Sequence, residues 1–178
     1  MNHDHYPEST IREILATHKV FAFIGASANT NRPSYFAMKY LLAKGFTIVP
    51  VNPGLAGQTL LGQMAYACLA DVPAPVEVID IFRNSDAALA LVREAIELKD
   101  RLGIKVIWMQ LGVRNDEAAS EAEAAGLKVV MNRCPKIEYG RLSGEISWSG
   151  VNSGTFSNKR GTLAAKGFQH RVIGDGKP

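Results

Sequence analysis

Val20-Phe21-Ala22-Phe23-Ile24-Gly25-Ala26-Ser27-Ala28-Asn29-Thr30-Asn31-Arg32-Pro33-Ser34 is an apolar run that empties into a small polar loop. Its first five residues are apolar without alternation, the pattern of a parallel strand covered by helices on both faces. Gly25 follows at once, a residue whose backbone can turn where others cannot and can be approached closely by a ligand. Pro33 suits the first turn of a helix, and Phe36, Ala37, Tyr40 and Leu41 then recur at helical spacing. Strand, tight loop and helix start therefore meet here. Unpaired N–H groups and the positive end of the helix dipole would face the loop, an arrangement suited to phosphate or pyrophosphate.

A dinucleotide fingerprint would read Gly-x-Gly-x-x-Gly, whereas this loop holds Gly25 alone and places Ser27 where the second glycine belongs. On spacing alone, an ordinary β–α connection remains open.

The remaining chain extends this beginning into a fold. Thr10 and Glu13 have capping-box spacing, and Ile11, Ile14 and Leu15 mark one face of a short leading helix. A helix is expected from about Pro33 to Lys44, stopping at Gly45, and a second strand over Thr47 to Val51, ending in the turn Asn52-Pro53-Gly54. Leu55 to Pro75 is broken by Gly57, Gly62, Pro73 and Pro75, and Ala65 to Leu69 is expected to form at most a short helix or turn. Val76 to Phe82 reads as a third strand and Ser85 as a helix N-cap. Ala88, Leu91, Val92, Ala95 and Ile96 follow as a buried stripe, with the helix ending near Gly103. Lys105 to Met109, Asp116 to Ala125 and Lys128 to Met131 complete the alternation as strand, helix and strand.

Alternation with short loops predicts an α/β fold: a doubly wound, mainly parallel, five-stranded Rossmann-like sheet with helices on both faces. Ligands of such sheets bind at the carboxyl ends of the strands, near the point where strand order reverses. The domain is expected over 1–142, with a Gly/Ser/Asn-rich C-terminal arm over 143–178 that packs on it and frays at its end.

The chain has 178 residues, 47% hydrophobic and 21% charged, enough for one domain with a core that needs neither disulfide nor metal. Its formal charge of +3 comes from scattered basic residues, so composition supports neither nucleic acid nor membrane binding and fits a small anionic ligand better. Two cysteines are too few for a disulfide scaffold, the first residues lack the apolar stretch of a signal peptide, and the cytoplasm is the expected location. His3, His5, His18 and His170 have no metal-ligand spacing, and no metal is expected.

An NAD site commonly has an acid at the end of the second strand, and here Val51-Asn52-Pro53 stands in that place. NAD is therefore disfavoured, although an NADP site could do without the acid. Arg32 and Arg83 are placed to meet phosphates, or else are solvated surface arginines.

Taken together, Val20 to Ser34, Ile48-Val49-Pro50-Val51-Asn52-Pro53, Val78-Ile79-Asp80-Ile81-Phe82-Arg83, Trp108-Met109-Gln110-Leu111-Gly112 and Met131-Asn132-Arg133-Cys134-Pro135-Lys136-Ile137-Glu138 resemble the small stand-alone CoA-binding proteins. The domain of that family is similar to the N-terminal Rossmann-like domain of the succinyl-CoA synthetase α subunit. The resemblance runs from about Lys19 to Leu142 and implies binding of coenzyme A or an acyl-CoA across the strand ends. It implies that Gly25, Ala26, Ser27, Arg32, Pro33 and Ser34 hold phosphates and that Val51, Asn52 and Pro53 border the adenosine. Phe82, Arg83 and Ser85 would flank nucleotide and pantetheine, and Gln110, Leu111 and Gly112 would line the pantetheine path. The synthetases need further domains, and this chain carries no P-loop, so no catalytic residue and no autonomous activity is expected. The role implied is a CoA-binding or sensing module. The alternatives are an NAD(P)-dependent oxidoreductase or the CoA-site subunit of a larger acyl-CoA enzyme. A homodimer, with Trp148 at its interface, is a further expectation.

Cys134 follows a strand end beside Arg133 and Lys136, cations able to lower a thiol pKa. It is a candidate for mixed-disulfide formation with the CoA thiol; the competing reading is a packed, inert thiol before Pro135. Cys68 reads as structural. Asp80, inside a strand, and Glu138, without a visible partner, also read as structural.

Overall fold

The computed structural model describes residues 2–144, in which a five-stranded parallel sheet is flanked by helices on both faces. The elements run α1 (Glu8–Thr17), β1 (Val20–Ile24), α2 (Pro33–Ala43), β2 (Thr47–Val51), β3 (Thr59–Leu60), β4 (Gln63–Met64), β5 (Val78–Ile81), α3 (Ser85–Leu102), β6 (Val106–Met109), α4 (Asp116–Ala124), β7 (Lys128–Val130) and α5 (Pro135–Leu142). The main sheet has the order β2-β1-β5-β6-β7, all parallel, and β3-β4 form a small antiparallel pair.

Side chains alternate across the sheet into two cores, as strand geometry requires. Ala22, Ile24, Ile79, Ile81, Ile107 and Met109 pack with Ala88, Val92 and Ala95 of α3 and with Ala118, Ala119 and Ala122 of α4. Phe21, Phe23, Val78, Val106 and Trp108 pack on the opposite face with α1, α2 and α5, through Ile11, Ile14, Leu15, Ala37, Met38 and Leu41. The strands are buried on both faces, which is why they are continuously apolar in sequence.

The chain leaves β1 for β2 on one side and later returns to place β5 on the other side of β1. The loops after β1 and β5 therefore diverge, and a crevice opens between them at the carboxyl edge. Two backbone bonds set its floor: Gly25 N–H donates to the Val51 carbonyl at 2.9 Å, and Phe82 N–H to that of Ile24 at 2.9 Å.

Several local expectations are corrected. The leading helix starts at Glu8 behind Pro7, so Thr10 lies inside it and does not cap it. Asn84, not Ser85, caps α3, its Oδ1 accepting from Ala87 N–H at 3.2 Å. The Asn84 side chain meets the N–H three residues on, and Ser85 is left for another bond described below. Phe36 is half exposed, because Ser34, Ala37, Met38 and Leu41 form the buried face of α2. Leu91 and Ile96 are half-buried at the flank of the α3 stripe. The Leu55 to Pro75 stretch holds the β3-β4 pair and a 3-10 turn at Leu69–Asp71, within the expected limit of a short helix or turn over Ala65 to Leu69. Helix α5, which the sequence pattern did not announce, packs on the core through Tyr139 and Leu142. Residues 145–178, with Trp148 and His170, lie outside the described residues.

Candidate functional site

Gly25 has φ +91°, in the left-handed region that favours glycine. A Cβ there would stand 3.0 Å from Arg83 Cδ and 3.3 Å from the Phe82 carbonyl oxygen. The glycine thus lets the chain turn and lets the β5 loop come close, laying the Arg83 side chain over it. Asn52 ties the next loop to this one: its Nδ2 donates to the Ala26 carbonyl at 2.7 Å, and its Oδ1 accepts from Gly54 N–H at 2.9 Å.

Beyond buried Ala26, Ser27 Oγ accepts from Asn29 N–H at 3.2 Å and Asn29 Oδ1 from Asn31 N–H at 2.9 Å. These small turns carry the chain to α2, where Arg32 stands as N-cap with no side-chain bond to the first-turn N–H groups, Pro33 opens the helix and Ser34 is buried. The start of α2 is therefore uncapped by a side chain, whereas α3 and α4 are capped by Asn84 and Asn115. Among the described residues neither Arg32 nor Arg83 has an ion-pair partner. An uncapped helix start and two unpaired cations at one sheet edge can accept an anion.

A cleft of about 360 Å³ opens beside this edge. Ile24, Gly25, Val51, Asn52 and Pro53 form its floor and one end, Ala67, Cys68 and Leu69 one wall, and Arg83, Ala87, Ala90, Leu91 and Glu94 the other. The walls are mostly apolar with polar groups at the ends, as in sites that take a flat organic group. Of the residues named from sequence, Gly25, Val51, Asn52, Pro53 and Arg83 line this cleft together.

The others sit around it. Phe82 turns to the opposite core, its ring 4.8 Å from that of Phe23. Ser85 joins two loops: its Oγ accepts from Arg114 N–H at 3.0 Å and its carbonyl from Asn115 Nδ2 at 3.1 Å. Leu111 is exposed, and Gly112, at φ +80°, donates its N–H to Asn132 Oδ1 at 2.8 Å. Gln110 is buried, with its Nε2 2.9 Å from both carboxylate oxygens of Asp80. Its side chain is turned into the protein, so only its backbone borders the loop.

Sequence reasoning passed over Ala87, Ala90 and Glu94, which recur at helical spacing one strip over from the α3 stripe and were a usable signal. It had none for Cys68, since the segment bearing it has no periodicity. Cys68 is exposed, and its thiol donates to Asp71 Oδ2 at 3.2 Å. Glu138 is buried and has two partners, Arg141 Nη2 at 3.0 Å and Arg133 Nε at 3.7 Å. Asp80 is fully buried, and burial holds its carboxyl well above the usual range against the opposing hydrogen bond from Gln110. Cys134 departs from the lowered pKa that its neighbours suggested. Burial pushes its thiol up to about 11, outweighing the backbone N–H groups of Ile137 and Lys136 and the Lys136 charge. Among the described residues no helix is long and apolar enough to cross a membrane.

Residues 19–140 match a family model described as CoA binding domain. The uncharacterized protein YneT of Bacillus subtilis (strain 168) is 30% identical over 132 residues, 74% of this chain and 93% of its own. A hypothetical protein from Pyrococcus horikoshii OT3 is 38% identical with a TM-score of 0.72, over 79% of this chain and 95% of that one. A Thermus thermophilus protein is 34% identical with a TM-score of 0.71, over 77% and 99%. The dinucleotide forming acetyl-coenzyme A synthetase 1 of Ca. Korarchaeum cryptofilum shares the fold at 23% identity and a TM-score of 0.55, over 67% of this chain and 27% of its own.

Proposed function

The chain belongs to the CoA-binding domain family, and we propose that it binds coenzyme A or an acyl-CoA at the carboxyl edge of β1, β2 and β5, as a non-catalytic sensing or presenting module of the cytoplasm. The pyrophosphate and 3′-phosphate take the main-chain donors of Gly25 to Ser27, the start of α2 and the guanidinium groups of Arg32 and Arg83. The adenosine takes the cleft bordered by Val51, Asn52 and Pro53, and the pantetheine arm runs toward Ser85 and the Gln110-Leu111-Gly112 backbone.

The observation that carries this reading is the pairing of Gly25 with Arg83 at the switch point: a backbone open to close approach with an unpaired cation laid over it. Val51-Asn52 offers no carboxylate at the end of β2, and Asn52 is committed to holding two loops. A ligand with a phosphorylated ribose meets no repulsion there, whereas the ribose hydroxyls of NAD would lack their usual acceptor.

Calorimetric titration with CoA, dephospho-CoA, NADH and NADPH tests the reading. CoA is expected to bind most tightly, and removal of its 3′-phosphate to weaken binding about tenfold, the scale of one charge-assisted contact. Tighter binding of either nicotinamide cofactor would overturn it.

A further inference from the structure

The adenosine cleft has ends of opposite charge. Arg83 lies over Gly25 at the sheet edge, and Glu94 lines the same cleft seven residues beyond Ala87, two turns or about 10 Å further along α3. Among the described residues the side chain of Glu94, like that of Arg83, has no hydrogen-bond or ion-pair partner. Between them the wall is apolar, made by Ala87, Ala90 and Leu91 and faced by Leu69.

A carboxylate only accepts hydrogen bonds, so the end of the cleft that it occupies suits a donor and repels phosphate. Like charges brought together in a partly dry cleft would interact more strongly than in water. A nucleotide entering therefore has one favourable direction, with phosphates toward Arg83 and base toward Glu94. Apolar walls suit the two faces of a purine, leaving its edge to meet the carboxylate.

Resting on the CoA reading above, we propose that Glu94 is a specificity-determining residue that accepts a hydrogen bond from the exocyclic N6 amine of the adenine. It reads the base, while Arg83 holds the phosphates at the other end.

The full chain, titrated with CoA and with 1,N6-etheno-CoA, tests this, because the fused ring of the latter removes both N6–H donors. The wild-type chain is expected to bind CoA about tenfold more tightly than the etheno compound, the scale of one hydrogen bond to a charged acceptor. Glu94→Leu should weaken CoA binding about tenfold and leave the two ligands within about twofold. Glu94→Gln keeps an acceptor oxygen and should retain part of the preference. A wild-type chain that binds both alike, or a Glu94→Leu variant that keeps the full preference because bulk alone decides it, overturns the assignment and leaves the CoA reading standing. If Glu94→Leu does not fold, an undiminished preference in Glu94→Gln overturns it instead. A wild-type chain that binds neither ligand overturns the CoA reading and this inference together.

Discussion

Gln110 and Asp80 form a closed pair inside the sheet: the Gln110 amide stands 2.9 Å from each carboxylate oxygen of an aspartate with no exposed surface. Asp80 is paired in register with Phe23 on one side and Trp108 on the other. Gln110 begins the loop that follows β6. The pair therefore links the middle of β5 to the loop proposed to border the pantetheine arm.

Burial raises the Asp80 pKa, so between the ordinary aspartate value and the folded one the folded protein holds a proton that the unfolded chain has lost. The resulting stability is present below the ordinary aspartate value and declines as pH rises through the folded value, by at most about 1.4 kcal/mol per pH unit in that window. Asp80→Asn removes this dependence. Its stability relative to wild type should grow as pH rises from about 4, measured by urea denaturation at successive pH values. A difference that is flat with pH would show that Asp80 ionises freely.

Gln110→Leu leaves the carboxyl of Asp80 buried without its donor. The expected cost is about 1–3 kcal/mol, the penalty of an unsatisfied buried polar group. Addition of Asp80→Leu should recover part of that loss, and a double-mutant cycle in denaturant checks it.

Gly25→Ala forces a side chain into the left-handed region, at about 1–2 kcal/mol, and presses its Cβ on Arg83 Cδ. Thermal unfolding should reveal the strain. CoA affinity should fall by more than for Arg83→Ala, which removes the cation but leaves the turn open.

Asn52→Ala breaks the bond joining the loops after β1 and β2 and the bond that shapes the second of them. A loss of about 1–2 kcal/mol is expected from the freed Ala26 carbonyl and Gly54 N–H. Hydrogen exchange at Gly54 should accelerate, with exchange at the buried strands little changed.

The two thiols should separate by reactivity. A pKa of about 11 leaves Cys134 almost wholly protonated near neutrality, and it is half-buried, whereas Cys68 is exposed at the cleft wall. Alkylation at pH 7.5 followed by peptide mass mapping should modify Cys68 first. Treatment with oxidised CoA should leave Cys134 unmodified; a CoA adduct on Cys134 that forms faster than one on Cys68 would reverse this ranking.

The order of strands and helices was legible because strands covered on both faces must be apolar throughout, and Val20–Ile24, Val78–Ile81 and Val106–Met109 are. So was Gly25, since an apolar run that ends in a glycine before a proline-started helix leaves few other geometries. The short elements were not legible. The β3-β4 pair is two residues a strand, stabilised by what surrounds it, and α5 is held by Tyr139 and Leu142 packing on a core built from distant residues.

By itself, the sequence determined the alternating fold, the edge at which the loops gather and the family to which the chain belongs. Only the tertiary structure decided that Asp80 meets Gln110, that Glu138 lies between two arginines, that its surroundings raise the pKa of Cys134 and that Glu94 shares a cleft with Arg83. The reason is the range of the forces. Backbone preference and hydrophobic periodicity act within a few residues, and a linear pattern records them. A side chain's protonation and partners depend on desolvation and on charges brought near from remote positions, and these exist only once the sheet has closed.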